Sequence, residues 1–351
     1  DLNWVGITGT NGKTTVTHLL SHILCKNKLV APAAGNIGVP FCKYAYEYKQ
    51  NKSLDWIIAE LSSYQIEIAT SIKPKIGIWT TFTPDHLERH HDIETYFKIK
   101  KSLLEKSSIR IYNSDDQYLS NKRKELPEGI WVGINHQSYY SHNPNFWIDK
   151  KGYIIENQSQ LFHSSILTIP GKHNLQNLLL VIAAAREIGL DHSLIAKAIN
   201  SFESIPHRLE YLGKSNQIGF YNDSKATNFD SSITGLQSVP LPITLLAGGK
   251  QKKGDCLTWI EQLKHSTSGI VLFGVSAIEL KKEIVKSFYK GEIVVKENLE
   301  EATKASIEIA SKTNSKSILL SPACASFDQY KNYEERGDHF KKLVKKYGVI
   351  K

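Results

Sequence analysis

The string Thr8-Gly-Thr-Asn-Gly-Lys-Thr-Thr15 sets two glycines, a lysine and several hydroxyls between an apolar run at 4–8 and a helical pattern at 13–24. Gly9 and Gly12 allow backbone N–H groups to converge on a polyphosphate, and a helix opening at Lys13 adds the partial positive charge of its N-terminus. Lys13 is expected on the β- and γ-phosphates, and the Thr14 hydroxyl in a Mg²⁺ shell. Ile7 occupies the place of the first glycine in the general G-x-x-x-x-G-K-[ST] spacing, so the loop is a variant. A bare Gly-Lys turn is the alternative, and the flanking strand and helix argue against it.

Further residues could serve such a site. Glu60 ends the apolar run at 56–61, and the carboxyl end of a strand is where open α/β sheets bind ligands. A carboxylate there would hold Mg²⁺ beside a triphosphate, or equally well cap a helix together with Ser62 and Ser63. The stretch Thr80-Thr-Phe-Thr-Pro-Asp-His-Leu-Glu-Arg-His-His91 gathers Asp85, His86, Glu88, His90 and His91. These are too crowded for the usual zinc spacings and no cysteine joins them, so zinc is not expected, and His90 and His91 read as solvated. Residues 96–104 read as the wet face of a lysine-rich helix. Asn174 and Asn177 could pair with the edge of an adenine or cap the helix that follows. A loop at 247–255 with Lys250, Lys252 and Lys253 follows a strand and reads as a second anion loop.

In order and approximate spacing these segments resemble the Mur ligases and the related folylpolyglutamate synthetases, which form amide bonds through an acyl phosphate. The strings quoted above, Glu60-Leu-Ser-Ser-Tyr-Gln65, Pro206-His-Arg-Leu-Glu210 and Tyr221-Asn-Asp-Ser-Lys-Ala-Thr-Asn228 all carry the likeness. The resemblance implies nucleotide contacts from Gly9, Thr10, Asn11, Gly12, Lys13, Thr14, Thr15, Asn174, Asn177, Arg208 and Asp223. It implies two Mg²⁺ sites, with Thr14 and Glu60 at one and His86 at the other. It also implies a carbamylated lysine, formed from CO₂, at Lys100, with Lys101 as the alternative register. The stretch 320–340 resembles the branch that adds D-glutamate to UDP-N-acetylmuramoyl-L-alanine, and no D-N-P-R motif of the diaminopimelate-adding branch is present. On that likeness Lys225, Thr227, Lys252, Ser326 and Tyr333 would face the γ-phosphate or D-glutamate, and Asn36 and Ser62 would join the substrate contacts. Other Mur ligases, a folylpolyglutamate synthetase or a nucleotide-binding module without ligase activity are the alternatives.

To position these residues, buried-strand patterns at 56–61, 76–81, 109–113, 243–247, 269–273, 293–295 and 317–320 alternate with helical patterns at 174–188, 276–289 and 299–313. This predicts α/β architecture with mainly parallel sheets. Residues 1–204 are expected to form a central ATP-binding domain with a small β-rich insertion or subdomain at 131–168. Residues 205–351 are expected to form a Rossmann-like C-terminal domain that binds D-glutamate. The family's uridine-binding N-terminal domain cannot fit before residue 4, and the 351 residues hold no methionine, so the sequence is expected to start inside a longer protein. The Lys and Arg residues behind the net charge of +9 are spread along the chain, so no nucleic-acid partner is expected. Nor does any stretch approach the length of a membrane span. Four scattered cysteines fit a reducing cytoplasm, and a monomer is expected.

Overall fold

The computed structural model describes residues 2–37, 39–51, 53–85, 87–167, 169, 171–202, 205–250 and 256–348, and the chain divides into two compact units, 1–203 and 204–351. The strands of the first unit are β1 (Asn3–Thr8), β2 (Ala33–Gly35), β3 (Trp56–Glu60), β4 (Ile76–Trp79), β5 (Ile109–Asn113), β6 (Ile130–Gly133), β7 (Phe146–Ile148), β8 (Tyr153–Glu156) and β9 (Ser159–His163). Its α-helices are α1 (Lys13–Lys26), α2 (Phe41–Asn51), α3 (Ser63–Ile68), α4 (Leu87–His90), α5 (Ile93–Glu105), α6 (Gln117–Asn121), α7 (Lys172–Glu187) and α8 (His192–Asn200).

All nine strands join one sheet, ordered β2-β3-β1-β4-β5-β6-β7-β8-β9. It is parallel from β2 through β7, and β8 and β9 are antiparallel. Trp56-Ile-Ile-Ala-Glu60 is buried along its whole length, as a parallel strand covered on both faces must be. The β-prone segment at 131–168 is not a body apart: its strands extend the same sheet, because β6 pairs in parallel with β5. Register brings Ile7 beside Glu60 and Thr8 beside Trp79, so the carboxyl ends of β1, β3 and β4 lie level.

The second unit contains β10 (Glu210–Ser215), β11 (Ile218–Asn222), β12 (Ile243–Gly248), β13 (Thr267–Phe273), β14 (Glu292–Lys296) and β15 (Ser317–Leu320). Its helices are α9 (Phe229–Leu236), α10 (Leu257–Ser266), α11 (Ala277–Lys286), α12 (Leu299–Lys312) and α13 (Tyr333–Lys346). The sheet runs β10-β11-β15-β12-β13-β14, with only the β10–β11 hairpin antiparallel. Alternate residues of β12 feed two cores: Leu245 and Ala247 pack with Trp259 and Leu319, whereas Leu246 packs with Phe220, Leu320 and Phe340. Among the described residues no helix is long and apolar enough to cross a membrane.

Trp259 is fully buried, and its indole N–H donates to Ser232 Oγ at 3.0 Å. Trp259→Ala should therefore destabilise the second unit by about 3–5 kcal/mol through the cavity it leaves. Urea unfolding followed by circular dichroism should show the corresponding transition moved to lower denaturant.

Candidate active site

Residues 9–12 join β1 to α1 in a backbone that needs glycine. Gly9 has φ 147° and Gly12, the residue before α1, has φ 85°. A Cβ at Gly9 would run into Thr80 Oγ1, and one at Gly12 would lie 2.5 Å from Asn177 Oδ1. The loop is thus pressed against two side chains and leads into the N–H groups that open α1, which suit an oxyanion.

The carboxyl end of β4 holds this loop in shape. Thr10 N donates to Thr81 O at 2.8 Å and Asn11 N to Thr81 Oγ1 at 2.9 Å. Thr80 Oγ1 donates to Asn11 O at 2.5 Å, and the Thr10 hydroxyl donates to Thr83 O and accepts from Thr83 N. The Thr80–Thr83 segment is tied in turn to the end of β5: Asn113 Nδ2 donates to Thr80 O at 2.9 Å, and Asp116 Oδ2 accepts Phe82 N at 2.5 Å. Asp116 Oδ1 also caps α6 by accepting Leu119 N. None of Thr80, Asn113 or Asp116 stood out in the sequence, because isolated Thr, Asn and Asp after strands are common loop residues.

Within the loop, Lys13 Nζ donates to Gly9 O and Thr10 O, both at 2.8 Å. Thr14 Oγ1 donates to Glu60 Oε2 at 2.6 Å, and Asn36 Nδ2 reaches Glu60 Oε1 at 3.3 Å. Thr14 and Glu60 are almost completely buried, and Thr15 lies beside them in the first turn of α1. Ser62 caps α3 in a capping box with Gln65, so the capping role falls to Ser62 and not to Glu60. A hydroxyl and a carboxylate beside an N–H cradle are the hard oxygen donors that Mg²⁺ takes, so these residues fit a magnesium nucleotide.

Of the lysines on α5, Lys98 is exposed, Lys101 pairs with Glu105 at 3.0 Å, and Lys100 is 1% exposed. Residues 96–104 are therefore not simply a wet face. Lys100 Nζ donates to Gly9 O at 3.0 Å and to Thr8 Oγ1 at 3.3 Å, and lies 4.7 Å from the centre of the Tyr96 ring. Burial, reinforced by the nearby Lys13 ammonium, holds the Lys100 amine well below the ordinary lysine pKa. His90, read as solvated from the sequence, is 1% exposed. Its Nε2 sits 2.8 Å from Ser63 Oγ and its ring stacks on Tyr96, so packing between α3 and α5 overrides its polarity. His91 is exposed, as expected, and His86 lies outside the described residues.

Asn174 and Asn177 are buried one turn apart on α7, with Asn177 Nδ2 donating to Asn174 Oδ1 at 3.3 Å. Gly171 precedes the helix without a side-chain cap, so the asparagines do not serve as its N-cap. Among the described residues no group of three or more His, Cys, Asp or Glu is arranged to hold a metal ion.

In the second unit the candidate residues lie around the carboxyl ends of β11 and β15. Asp223 accepts from Ser321 Oγ at 2.8 Å and from Leu209 N at 3.3 Å, and burial raises its pKa to about 7 against the pull of Ser321 and Arg208. Lys225 Nζ lies 5.1 Å over the Tyr333 ring, Thr227 follows in the same turn, and Ser326 is buried. Lys250 bridges to Ala325, whereas Lys252 and Lys253 fall outside the described residues.

The sequence reading also missed Arg336, although it stands three residues after Tyr333. The side chain is fully buried and pairs with backbone: Nη2 donates to Ser224 O at 2.8 Å, Nη1 and Nη2 both to Cys324 O at 3.1 Å, and Nε to Ser224 Oγ at 3.0 Å. Burial lowers its pKa to about 10, and the guanidinium pins two loops at the candidate site.

A family model for the Mur ligase middle domain matches residues 7–185 of the 351. A relative from Prochlorococcus marinus (strain NATL2A), named UDP-N-acetylmuramoylalanine–D-glutamate ligase, is 72% identical over 349 residues, which span 99% of this chain and 74% of the relative. The chain belongs to the Mur ligase family. A protein of the same name from Prochlorococcus marinus (strain MIT 9312) is 51% identical over 344 residues, covering 98% of this chain and 73% of its own. Among solved structures, a MurF ligase from Thermotoga maritima in complex with ADP matches with a TM-score of 0.67 at 18% identity, over 99% of this chain and 81% of that one. At that identity the likeness speaks for the Mur ligase fold alone.

Gly12→Ala should leave the fold standing and weaken Mg-ATP binding by about tenfold or more, since a left-handed φ disfavours a Cβ by roughly 1–2 kcal/mol and the methyl group also presses on Asn177. Titration calorimetry checks this. Asp223 makes a second, separable prediction. Because its folded pKa lies above that of the unfolded chain, its contribution to stability is present at acid pH and is lost as pH rises towards about 7. Asp223→Asn should flatten this fall in the second unit's stability, measured as midpoint denaturant against pH.

Proposed function

We propose that this chain is an ATP-dependent amide ligase that joins D-glutamate to UDP-N-acetylmuramoyl-L-alanine in peptidoglycan precursor synthesis. Identity of 72% along nearly the whole chain with a ligase of that name carries the reading. The buried set of Thr14, Glu60 and Lys100 around a glycine loop supports it chemically.

In the proposed reaction a carboxylate oxygen of the first substrate attacks the γ-phosphorus of ATP and ADP leaves. The D-glutamate amine then attacks the acyl carbon, phosphate leaves, and the nitrogen gives up a proton. The loop N–H groups from Gly12 to Thr15, at the start of α1, and the Lys13 ammonium hold the phosphates and offset their charge, which otherwise repels the incoming carboxylate. Asn174 and Asn177 take the adenine, and Arg208 and Asp223 are further nucleotide contacts. Lys225, Thr227, Ser326 and Tyr333 orient D-glutamate, together with Lys252, while Asn36 and Ser62 join the contacts of the first substrate.

Mur ligases use ATP and Mg²⁺, and the ion supplies charge neutralisation and alignment of the phosphate oxygens. Thr14 and Glu60 would hold one ion, and His86 with a carbamylated Lys100 a second. Carbamylation needs an unprotonated amine: the Lys100 nitrogen bonds to the carbon of CO₂ and releases a proton, and the depressed pKa of the buried amine favours this. The substrates are small molecules, and a cytoplasmic monomer without membrane or nucleic-acid partner is the setting we infer.

In the full-length protein, phosphate release should depend jointly on UDP-N-acetylmuramoyl-L-alanine and D-glutamate, and L-glutamate or diaminopimelate should not replace D-glutamate. Release with diaminopimelate in its place would overturn the substrate assignment. Lys100→Ala should lose most activity and regain part of it with added acetate, whereas Lys101→Ala should stay close to the parent. The reverse order would move the carbamate to Lys101.

A further inference from the structure

The segment leading into β10 is held in an unusual backbone shape. His207 and Leu209, on either side of Arg208, have φ values of 65° and 44°. Residues with side chains adopt this left-handed region only where their surroundings impose it, and such positions concentrate at working sites.

Glu210 holds the His207 end of it, while Asp223 Oδ1 accepts Leu209 N at 3.3 Å. Glu210 Oε2 accepts the His207 backbone N–H at 2.9 Å and Asn222 Nδ2 at 3.2 Å, while Oε1 receives Lys341 Nζ at 3.4 Å. Glu210 opens β10 and pairs in register with Asn222, the last residue of β11. The carboxylate and amide therefore stand where both loops leave the hairpin. From there Asn222 Oδ1 accepts Ser224 N at 3.2 Å, and Lys225 N donates to His207 O at 3.1 Å. Asn222 is completely buried, so these bonds have no competition from water.

We propose that Glu210 is a positioning residue for the transfer step. It acts through the His207 amide and Asn222 to fix the loop of Arg208 and the turn of Asp223 and Lys225 relative to one another. The inference rests on the ligase reading given above. The oxygen that faces His207 carries the role, not the negative charge. A glutamine can keep an oxygen towards His207 N and Asn222 Nδ2 and turn its amide towards Lys341, which retains Asp338 at 3.1 Å. An aspartate keeps the charge but is one methylene too short to reach.

The test compares Glu210→Gln, Glu210→Asp, Glu210→Ala and Lys341→Met with the parent chain in D-glutamate-dependent phosphate release, thermal stability and hydrogen exchange at residues 205–209. Glu210→Ala and Glu210→Asp should lower kcat by about a hundredfold, the scale of a misplacement near 1 Å. KM for ATP should rise by less than kcat falls, because only Arg208 and Asp223 among the proposed nucleotide contacts are displaced and the phosphate loop stays intact. Both variants should speed exchange of the His207 amide. Glu210→Gln and Lys341→Met should remain near the parent in kcat and exchange. A parent-like kcat and exchange in Glu210→Ala, or a Glu210→Gln as impaired as Glu210→Ala, would overturn the proposal. If the alanine variant does not fold, the aspartate and glutamine variants decide. A parent without D-glutamate-dependent release would refute the ligase reading, and the exchange arm alone would then decide whether Glu210 holds the loop.

Discussion

Burying the Lys100 amine beneath the phosphate loop is the constraint on which the first unit's site depends. An ammonium taken out of water is strongly disfavoured unless it is paired, and the partners found are a carbonyl, a hydroxyl and the face of Tyr96. With Lys13 also close, the balance shifts towards the neutral amine. That fixes both the chemistry open to Lys100 and the place of α5, since helix and loop must stay close for these contacts to exist. Tyr96 transmits the same requirement to His90, which stacks on it and reaches Ser63 on α3.

The two units meet a shared difficulty in similar ways. A loop at the carboxyl end of a parallel strand leaves backbone polar groups without ladder partners, and any that are buried must bond elsewhere. In the first unit hydroxyls from Thr80 and Thr81 and the side chains of Asn113 and Asp116 take that role. In the second, Asp223, Asn222 and Arg336 do. Since the anchors sit at or just beyond the ends of strands, or on α13 for Arg336, the loops inherit the rigidity of the sheet. Few-tenths-of-an-ångström placement, which group transfer demands, thereby becomes available to loop residues.

What the sequence revealed follows the same division. β3 was legible because a strand covered on both faces is a short apolar run, and the glycine loop because its residue types are dictated by backbone geometry. The segment at 131–168 read as a small β-rich insertion or subdomain, and its mixed composition hides that β6 continues the parallel ladder. Composition averaged over α5 made Lys100 look wet. The resemblance set it ahead of Lys101, and the packing separates the two physically, one residue and 100° around the helix apart. His90 and Arg336 escaped for the converse reason: each is a polar side chain whose burial depends on partners distant in sequence, Ser63 for one and Ser224 and Cys324 for the other.

The geometry of Lys13 completes the argument about charge. Its ammonium donates to two neutral carbonyls of its own loop, Gly9 O and Thr10 O, and Lys100 donates to the first of these as well. Two amines thus converge on one carbonyl, and the Lys13 ammonium disfavours charge on Lys100. A polyphosphate entering the cradle would offer Lys13 charged acceptors, roughly twice as strong as neutral ones, and would draw it off that carbonyl. The loop therefore offers an anion the Lys13 ammonium as well as the N–H groups that open α1. Lys100, held by burial, keeps Gly9 O and remains below the loop, so the two lysines divide naturally into one that follows the phosphate and one that stays.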